Sequence, residues 1–297
     1  MMSPKKKILV ALFACWSIGV LFWTVSSSTS LPSRLSPSAS KTTPSATAKH
    51  PKIGKADCKE CHGALVKRKI LHPVAEECGN CHEYKETIEA GEVKLLGEGA
   101  ALCLTCHVDK QEDFANKKFK HAAAEADCTV CHNPHSTDEP VLLKDKANSL
   151  CFMCHSDKEE ELSKKAFAHA PIKDVGCIAC HNPHTADHSP LLKVQVNDLC
   201  MTCHRMSADS RKDPASAMIL SQRSMPAGYA GKARKVVLDR DGKGHPYIGH
   251  PVSNVPDPSE PKKMMSCLSC HSPHAGKVRQ MFKGDVSKGQ LCDRCHK

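Results

Sequence analysis

The sequence has few of the large aromatic side chains that normally supply much of a globular core. Phe, Tyr and Trp together make up 4% of its 297 residues. Such side chains usually dominate core energetics. The hydrophobic fraction of 40% includes many alanines and 19 cysteines, so an ordinary hydrophobic core is excluded. Either another group fills the interior or the chain stays loosely ordered.

Beyond the N-terminal apolar run, which contains Cys15, the chain has no cysteine outside a Cys-x-x-Cys-His motif. The motif occurs nine times, and the copies are numbered here as sites 1 to 9: Cys58–His62, Cys78–His82, Cys103–His107, Cys128–His132, Cys151–His155, Cys177–His181, Cys200–His204, Cys267–His271 and Cys292–His296. Their cysteines are Cys58, Cys61, Cys78, Cys81, Cys103, Cys106, Cys128, Cys131, Cys151, Cys154, Cys177, Cys180, Cys200, Cys203, Cys267, Cys270, Cys292 and Cys295.

This motif is the attachment signature of c-type haem. Two cysteine sulfurs form thioethers with the porphyrin, and the adjacent histidine meets the iron. A disulfide framework suits an exported chain but does not require a histidine after every second cysteine. Structural zinc also uses Cys and His, but it would not place His directly after Cys nine times. The sequence therefore predicts nine covalently attached haem c groups, which would fill the missing core.

The motifs lie within larger repeats. Cys128–His135 is followed by a Leu pair and by Cys151, and the same plan recurs at Cys177–His184 and, with a longer spacing, at Cys267–His274. On these residues the chain resembles the doubled Cys-x-x-Cys-His family of multihaem cytochromes c, over about residues 49–297. No Pro-His follows His62 or His82, so the first three sites depart from the family pattern.

Ten histidines lie outside the motifs, and nine irons need nine second ligands if each binds two imidazoles. The nine candidates for these distal positions are His50, His72, His121, His135, His169, His184, His245, His250 and His274. His135 follows His132 too closely to reach the opposite face of the same iron, so we expect it to serve a neighbouring haem. His188 and His245 fit the repeat least well, and one of them is expected to be spare. The motif histidines are the expected proximal ligands.

Methionine is the competing ligand, and it raises the potential of its haem. Met153 and Met201 lie inside motifs and cannot easily reach the far face, while Met264 and Met265 are expected to pack against porphyrin.

No alternating apolar pattern is long enough for a sheet, and Pro and Gly interrupt longer helices. We predict a fold that is mainly coil with short α-helices, one of them over Lys158–Ala166, organised around covalently bound haems, with little or no β-sheet.

The N-terminal segment predicts export. Three lysines precede the apolar residues 8–25, which span about 27 Å as a helix, close to a bilayer core. Residues 1–27 are therefore a cleaved signal peptide or a membrane anchor, and 28–48 form a Ser/Thr/Pro-rich tether. A seven-haem module (49–204), a haem-free linker (205–249) and a two-haem unit (250–297) complete the predicted organisation. The expected location is the periplasm or outer cell envelope.

The formal net charge of +10 does not lead us to expect nucleic acid as a partner, because each haem brings two propionates that Lys and Arg can pair with.

Haems with both axial positions filled favour an electron-transfer protein without its own substrate site, working between redox proteins in low-potential, anaerobic respiration. The alternative is a reductase of a nitrogen or sulfur oxyanion with one open haem. Every motif here has its histidine, whereas nitrite reductases of this class often place lysine at the open site. Assembly into a conducting filament is a third hypothesis.

Overall fold

The computed structural model describes residues 57–83, 93–204, 229–236, 238, 244–246 and 249–297. The chain divides into two units, Met1–Ala48 and Lys49–Lys297. The first unit lies wholly outside the described residues, as do the predicted anchor and tether. Among the described residues, no helix is long and apolar enough to cross a membrane.

The described helices are short, and most contain or adjoin an attachment motif. The α-helices span Cys58–His62, Gly99–Leu104, Val108–Asn116, Ala122–Ala126, Ala147–Phe152, Ser156–Lys164, Ala170–Asp174, Val196–His204 and Cys267–Cys270. Single 3-10 turns cover Gly63–Val66, Cys78–Asn80, Cys128–Val130, Pro140–Leu142, Cys177–Ala179, Tyr229–Lys232 and Cys292–Arg294. Side chains cap several motif turns: Asp57 accepts from the Lys59 N–H, and Asp127 accepts from the Thr129 N–H. A capped turn thus starts these attachment loops.

The strands form small antiparallel ribbons of two strands each. Ile70–Leu71 pairs with Ser136–Thr137, His82–Glu83 with Lys94–Leu95, Phe119–Lys120 with Thr185–Ala186, Phe167–Ala168 with Ala275–Gly276, and Pro256–Asp257 with Glu260–Met264. Three of these ribbons join segments far apart in sequence, so they link one repeat to another. The predicted fold, mainly coil with short helices and little sheet, is confirmed.

The helix predicted near Lys158 runs over Ser156–Lys164 and so ends earlier than the predicted Ala166. Lys165 already has extended backbone angles. The chain then enters strand Phe167–Ala168, which pairs with Ala275–Gly276. Tertiary pairing therefore ends this helix where the local sequence would allow it to continue.

Apolar burial within the described residues is small. The buried apolar residues are Ala100, Phe114, Ala179, Ala186, Leu192, Val194, Met201, Met265 and Ala275. Four of these nine are alanines, which contribute little area, whereas burying a Leu or Phe side chain contributes about 1.5–3 kcal/mol. The side chains of these described residues alone therefore build no sizeable core, which agrees with the low aromatic content of the sequence.

Candidate functional site

Eight pairs of histidine rings dominate the described part of the chain. Each pair joins one motif histidine to one histidine from outside the motifs. The pairs are His72–His107, His82–His135, His121–His155, His132–His184, His169–His204, His181–His274, His245–His271 and His250–His296. Their ring centroids lie between 6.1 and 6.4 Å apart.

The constant separation of these rings distinguishes them from ordinary aromatic contacts. The angle between the ring planes varies from 16° in His169–His204 to 63° in His250–His296, while the centroid distance changes by only a few tenths of an ångström. Direct ring packing would couple the distance to the angle. Metal–imidazole bonds are about 2 Å long, so two rings that bind one metal from opposite sides have centres about 6 Å apart once the ring radii are added. Rotation of either ring about the line through the metal changes the angle between the ring planes but leaves the distance between the ring centres unchanged.

The strand ribbons position the non-motif histidines. The His72 N–H donates to the His135 carbonyl oxygen at 2.9 Å, directly beside the ribbon of Ile70–Leu71 and Ser136–Thr137. The other two long-range ribbons repeat this bond: His121 N–H donates to His184 O, and His169 N–H to His274 O, both at 2.8 Å. Each ribbon therefore holds two such histidines next to each other.

Contacts between Nδ1 and backbone carbonyl oxygens orient several motif histidines. Nδ1 of His132 lies 2.9 Å from the Val141 carbonyl oxygen, Nδ1 of His181 lies 2.9 Å from that of Pro190, and Nδ1 of His271 lies 2.7 Å from that of Gln280. In each case the acceptor is nine residues after the histidine. Nδ1 of His204 lies 2.7 Å from the Arg234 carbonyl oxygen. A proton on Nδ1 leaves Nε2 free to coordinate, fixes the ring orientation and makes the ligand more basic.

A left-handed residue follows each of the three equivalent acceptors. Leu142, Leu191 and Met281 have φ values of 59°, 57° and 54°. Non-glycine residues rarely adopt this conformation, which costs about 1–3 kcal/mol where it is strained. In the first of these turns, the Val141 carbonyl oxygen faces the His132 ring. The next carbonyl oxygen, that of Leu142, accepts from the Asn133 N–H. The Leu pair seen in the sequence repeats is therefore part of the turn that orients a motif histidine.

Burial keeps many of these imidazoles neutral. Desolvation lowers the pKa of the non-motif histidines His72, His135, His169, His184, His245 and His274, and it also lowers the pKa of His181 in site 6. A lone pair on the ring nitrogen is needed to bind a metal. These rings therefore hold the protonation state that an iron ligand requires near neutral pH.

The first cysteines of neighbouring motifs also meet. Hydrogen bonding between the two thiols lowers the pKa of Cys177 to about 7 and raises that of Cys151. Cys200 and Cys267 interact in the same way, and the contact raises the pKa of Cys200. None of the cysteines in the described residues forms a disulfide, so the disulfide framework considered above is not what the motifs build there.

Two asparagines that our sequence analysis did not single out join one attachment loop to the next. Oδ1 of Asn148 accepts from the Cys177 N–H at 3.0 Å, and its Nδ2 donates to the Ile172 carbonyl oxygen at 3.2 Å. Asn197 does the same with the Cys267 N–H at 2.9 Å and the Val252 carbonyl oxygen at 3.0 Å. Both lie three residues before the first cysteine of their motif. Their shared offset is the only sequence signal of this role, and Ala100 takes the same place before site 3.

We expect Asn148→Ala to lower the free energy of unfolding of the loaded protein by about 1–3 kcal/mol, because it leaves a part-buried N–H and carbonyl without their partner. Denaturant unfolding followed by circular dichroism measures this. Asn80→Ala is the matched control, since its Nδ2 bond to the Val74 carbonyl oxygen is exposed, and we expect a smaller effect. Equal effects of the two substitutions would show that Asn148 does not join the loops.

The structure brings eight of the nine candidate distal histidines to a motif histidine. His50, the ninth, lies outside the described residues. His188 takes no part in the eight pairs; its carbonyl oxygen accepts from the Leu192 N–H at 2.8 Å. Among the methionines considered as ligands, Met153 is 72% exposed and Met201 is buried, and both are in motifs whose histidine already faces another imidazole.

The family model of the doubled CXXCH motif matches residues 72–112, 121–160, 169–209 and 260–297, more than half of the chain. The chain belongs to this family. It is thus a multihaem c-type cytochrome, an electron-transfer protein that binds several haem c groups covalently and exchanges electrons with other redox proteins. No curated protein matches the chain.

Each family repeat in this cytochrome contains two motifs. Three of the four matches begin at a histidine of the ribbons, namely His72, His121 and His169. The first match includes sites 2 and 3, although no Pro-His follows His82. Site 1 lies before the first match, so it stands outside the paired units of the family repeat.

Proposed function

We propose that this cytochrome carries nine haem c groups and passes electrons along them, each iron being held by two histidines. The eight imidazole pairs at 6.1–6.4 Å carry this proposal. Each motif supplies the two thioether sulfurs and the proximal histidine, and the bound haem supplies a one-electron redox centre. The polypeptide holds each pair of rings on one axis and orients several of them through Nδ1.

The distal ligands follow from the same pairs. Sites 2 to 9 take, in order, His135, His72, His184, His121, His274, His169, His245 and His250. We assign His50 to site 1, because it is the remaining histidine at a repeat-matched position upstream of a motif. His188 is then the spare histidine, and methionine ligation is not required.

Full axial ligation favours a conduit over a reductase. A reductase of this kind needs one iron with an open position, and eight motif histidines here already face a second imidazole. Bis-histidine ligation gives haems lower reduction potentials than His/Met ligation. The Nδ1 bonds to carbonyl oxygens lower these potentials further, because they make the imidazole ligands more basic. We therefore propose a role in low-potential, anaerobic respiration, between a donor and an acceptor redox protein.

The proposed location rests on the N-terminal segment. Lys5, Lys6 and Lys7 before the apolar residues 8–25 are typical of export, and haem c attachment suits an exported chain. We propose the periplasm or outer cell envelope, with residues 8–25 either removed on export or retained in the cytoplasmic membrane. Immunoblotting of membrane and soluble fractions with an antibody against residues 28–48 distinguishes these two outcomes.

The haem content and spin state of the oxidised protein test the central proposal. We expect nine haems per chain by pyridine haemochrome, and low-temperature electron paramagnetic resonance showing only low-spin ferric signals. The reason is that two imidazoles on each iron give a strong ligand field. A high-spin ferric signal worth about one haem, perturbed by nitrite or sulfite, would instead support the reductase. A haem count below nine would contradict the proposal that every one of the nine motifs carries a haem.

A further inference from the structure

We infer that the nine attachment sites follow one another in space in the order of the chain, as one unbranched file in which two kinds of contact alternate. This inference rests on the proposed function, since it concerns the same nine sites. It adds their spatial order, which neither the motif spacing nor the family repeat specifies.

The first kind of contact joins each odd-numbered site to the even-numbered site after it, through their attachment loops. Helix Ala147–Phe152 of site 5 packs against the turn Cys177–Ala179 of site 6, where Asn148 bonds the Cys177 N–H. Helix Val196–His204 of site 7 packs against helix Cys267–Cys270 of site 8, and Asn197 makes the equivalent bond.

Sites 3 and 4 make the same contact without an asparagine. Helix Gly99–Leu104 packs against the turn Cys128–Val130. Gly99, at φ 53°, lies so close to the Ala126 carbonyl oxygen that an added Cβ would approach it to 2.7 Å. In sites 1 and 2, the thiols of Cys58 and Cys78 interact directly. The Cys103 and Cys128 side chains of sites 3 and 4 are also hydrogen bonded, so the first cysteines meet in all four of these site pairs.

The second kind of contact joins each even-numbered site to the odd-numbered site after it, through their non-motif histidines. His135 and His72, facing sites 2 and 3, are hydrogen bonded to each other. His184 with His121 joins sites 4 and 5, and His274 with His169 joins sites 6 and 7.

Sites 8 and 9 close the file by a related contact. In the part of the chain that the structure describes, none of the three long-range ribbons holds the non-motif histidines that face these two sites. Instead, His245 and His250 come from one loop, in which the Gly244 N–H donates to the His250 carbonyl oxygen at 3.1 Å. Each interior site therefore contacts the site before it by one kind of contact and the site after it by the other.

Paired distal substitutions test this order in the loaded protein. Each of His184→Ala, His121→Ala and His274→Ala is expected to convert one haem, at sites 4, 5 and 6 respectively, to the high-spin ferric form. Combining His121→Ala with His274→Ala places two high-spin irons at neighbouring sites. We expect their paramagnetic resonance signal to be broadened and smaller than the sum of the two single variants, because spin–spin coupling rises steeply at short distance.

The matched control combines His184→Ala with His274→Ala, at sites 4 and 6, which are separated by site 5. We expect its signal to equal the sum of the two single variants. Additive signals for sites 5 and 6, or a broadened signal for sites 4 and 6, would overturn the order. If the single variants show no high-spin iron, the ligand assignment fails and the order is then decided by diffraction.

Anomalous diffraction at the iron edge from crystals of the unsubstituted protein provides that second measurement. We expect nine iron positions in which each interior iron has two nearest neighbours, namely those of the preceding and following motifs. An iron with three equally near neighbours, or a nearest neighbour out of chain order, would overturn the inference even if all nine irons have two histidine ligands.

Discussion

A chain produced without attached haem is expected to lose most of its secondary structure. Four of the nine buried apolar residues in the described part are alanines, and the helices there have nine residues or fewer. Isolated helices of this length are marginal in water. Ordering the backbone costs about 1–2 kcal/mol per residue, and burial of so few large side chains cannot offset that cost over the described residues. The attached porphyrins must supply the remaining apolar contacts.

Expression with and without the haem-attachment machinery of the host tests this expectation. Far-ultraviolet circular dichroism of the unattached chain should show mainly coil, and heating should give no cooperative transition. The loaded protein should unfold cooperatively at the same concentration. Its motif cysteines should not react with a thiol-labelling reagent, which shows that the haems are attached. An unattached chain that keeps the helical signal and a cooperative transition would contradict the role of haem as the core.

A single-site variant provides a graded control. Replacing Cys177 and Cys180 by serine removes covalent attachment at site 6 and leaves the other motifs intact. We expect partial destabilisation, concentrated in the contacts around Asn148 and around the His169–His274 hydrogen bond. A loss as large as that of the fully unattached chain would mean that the sites fold as one cooperative unit.

The sequence predicted the attachment chemistry because that chemistry needs particular residues at fixed spacing. Two cysteines and a histidine within five residues are visible without knowing any contact. The fold class followed for the same reason, since a chain with few aromatics and frequent Pro and Gly cannot form long elements. The expectation that His135 serves a haem other than that of His132 followed from the short segment between these two residues, and the structure places the His135 ring against His82 of site 2, two motifs earlier.

The pairing of histidines could not be read from the sequence. His72 lies beside site 2 in the chain but faces His107 of site 3, because its ribbon joins it to Ser136–Thr137, more than 60 residues away. Likewise, the role of Asn148 depends on Cys177 being its neighbour in space. Long-range contacts of this kind depend on how the repeats stack, and no local pattern encodes that stacking.

The sequence predicts that segment 205–249 is a haem-free linker, and described residues of this segment contact both site 7 and the helix Ala170–Asp174. The Lys235 side chain donates to the Cys203 carbonyl oxygen at 2.8 Å, and the Tyr229 hydroxyl donates to Asp174 at 2.8 Å. The Arg234 carbonyl oxygen meets Nδ1 of His204. These contacts place Tyr229 beside the helix Ala170–Asp174, and Arg234 and Lys235 beside site 7.

His245→Ala is expected to convert one haem, that of site 8, from low-spin to high-spin. The ring of His245 faces His271 at 6.4 Å, and sites 2, 4 and 6 instead face the Pro-His of the site two motifs later. Loss of the imidazole removes the second axial ligand and a donor that stabilises ferric iron, so the potential of this haem should rise. Paramagnetic resonance should show about one high-spin haem per chain, and the reduced protein should bind about one carbon monoxide per chain.

His188→Ala is the matched control, because His188 is the other histidine that fits the repeat poorly and its ring is in none of the eight pairs. We expect this variant to stay fully low-spin and to bind no carbon monoxide. The reverse result, with His188→Ala high-spin and His245→Ala unchanged, would exchange the two assignments. The vacated iron also links the two functional hypotheses: if His245→Ala gains nitrite or sulfite binding that the unsubstituted protein lacks, the second imidazole is what keeps this cytochrome a conduit.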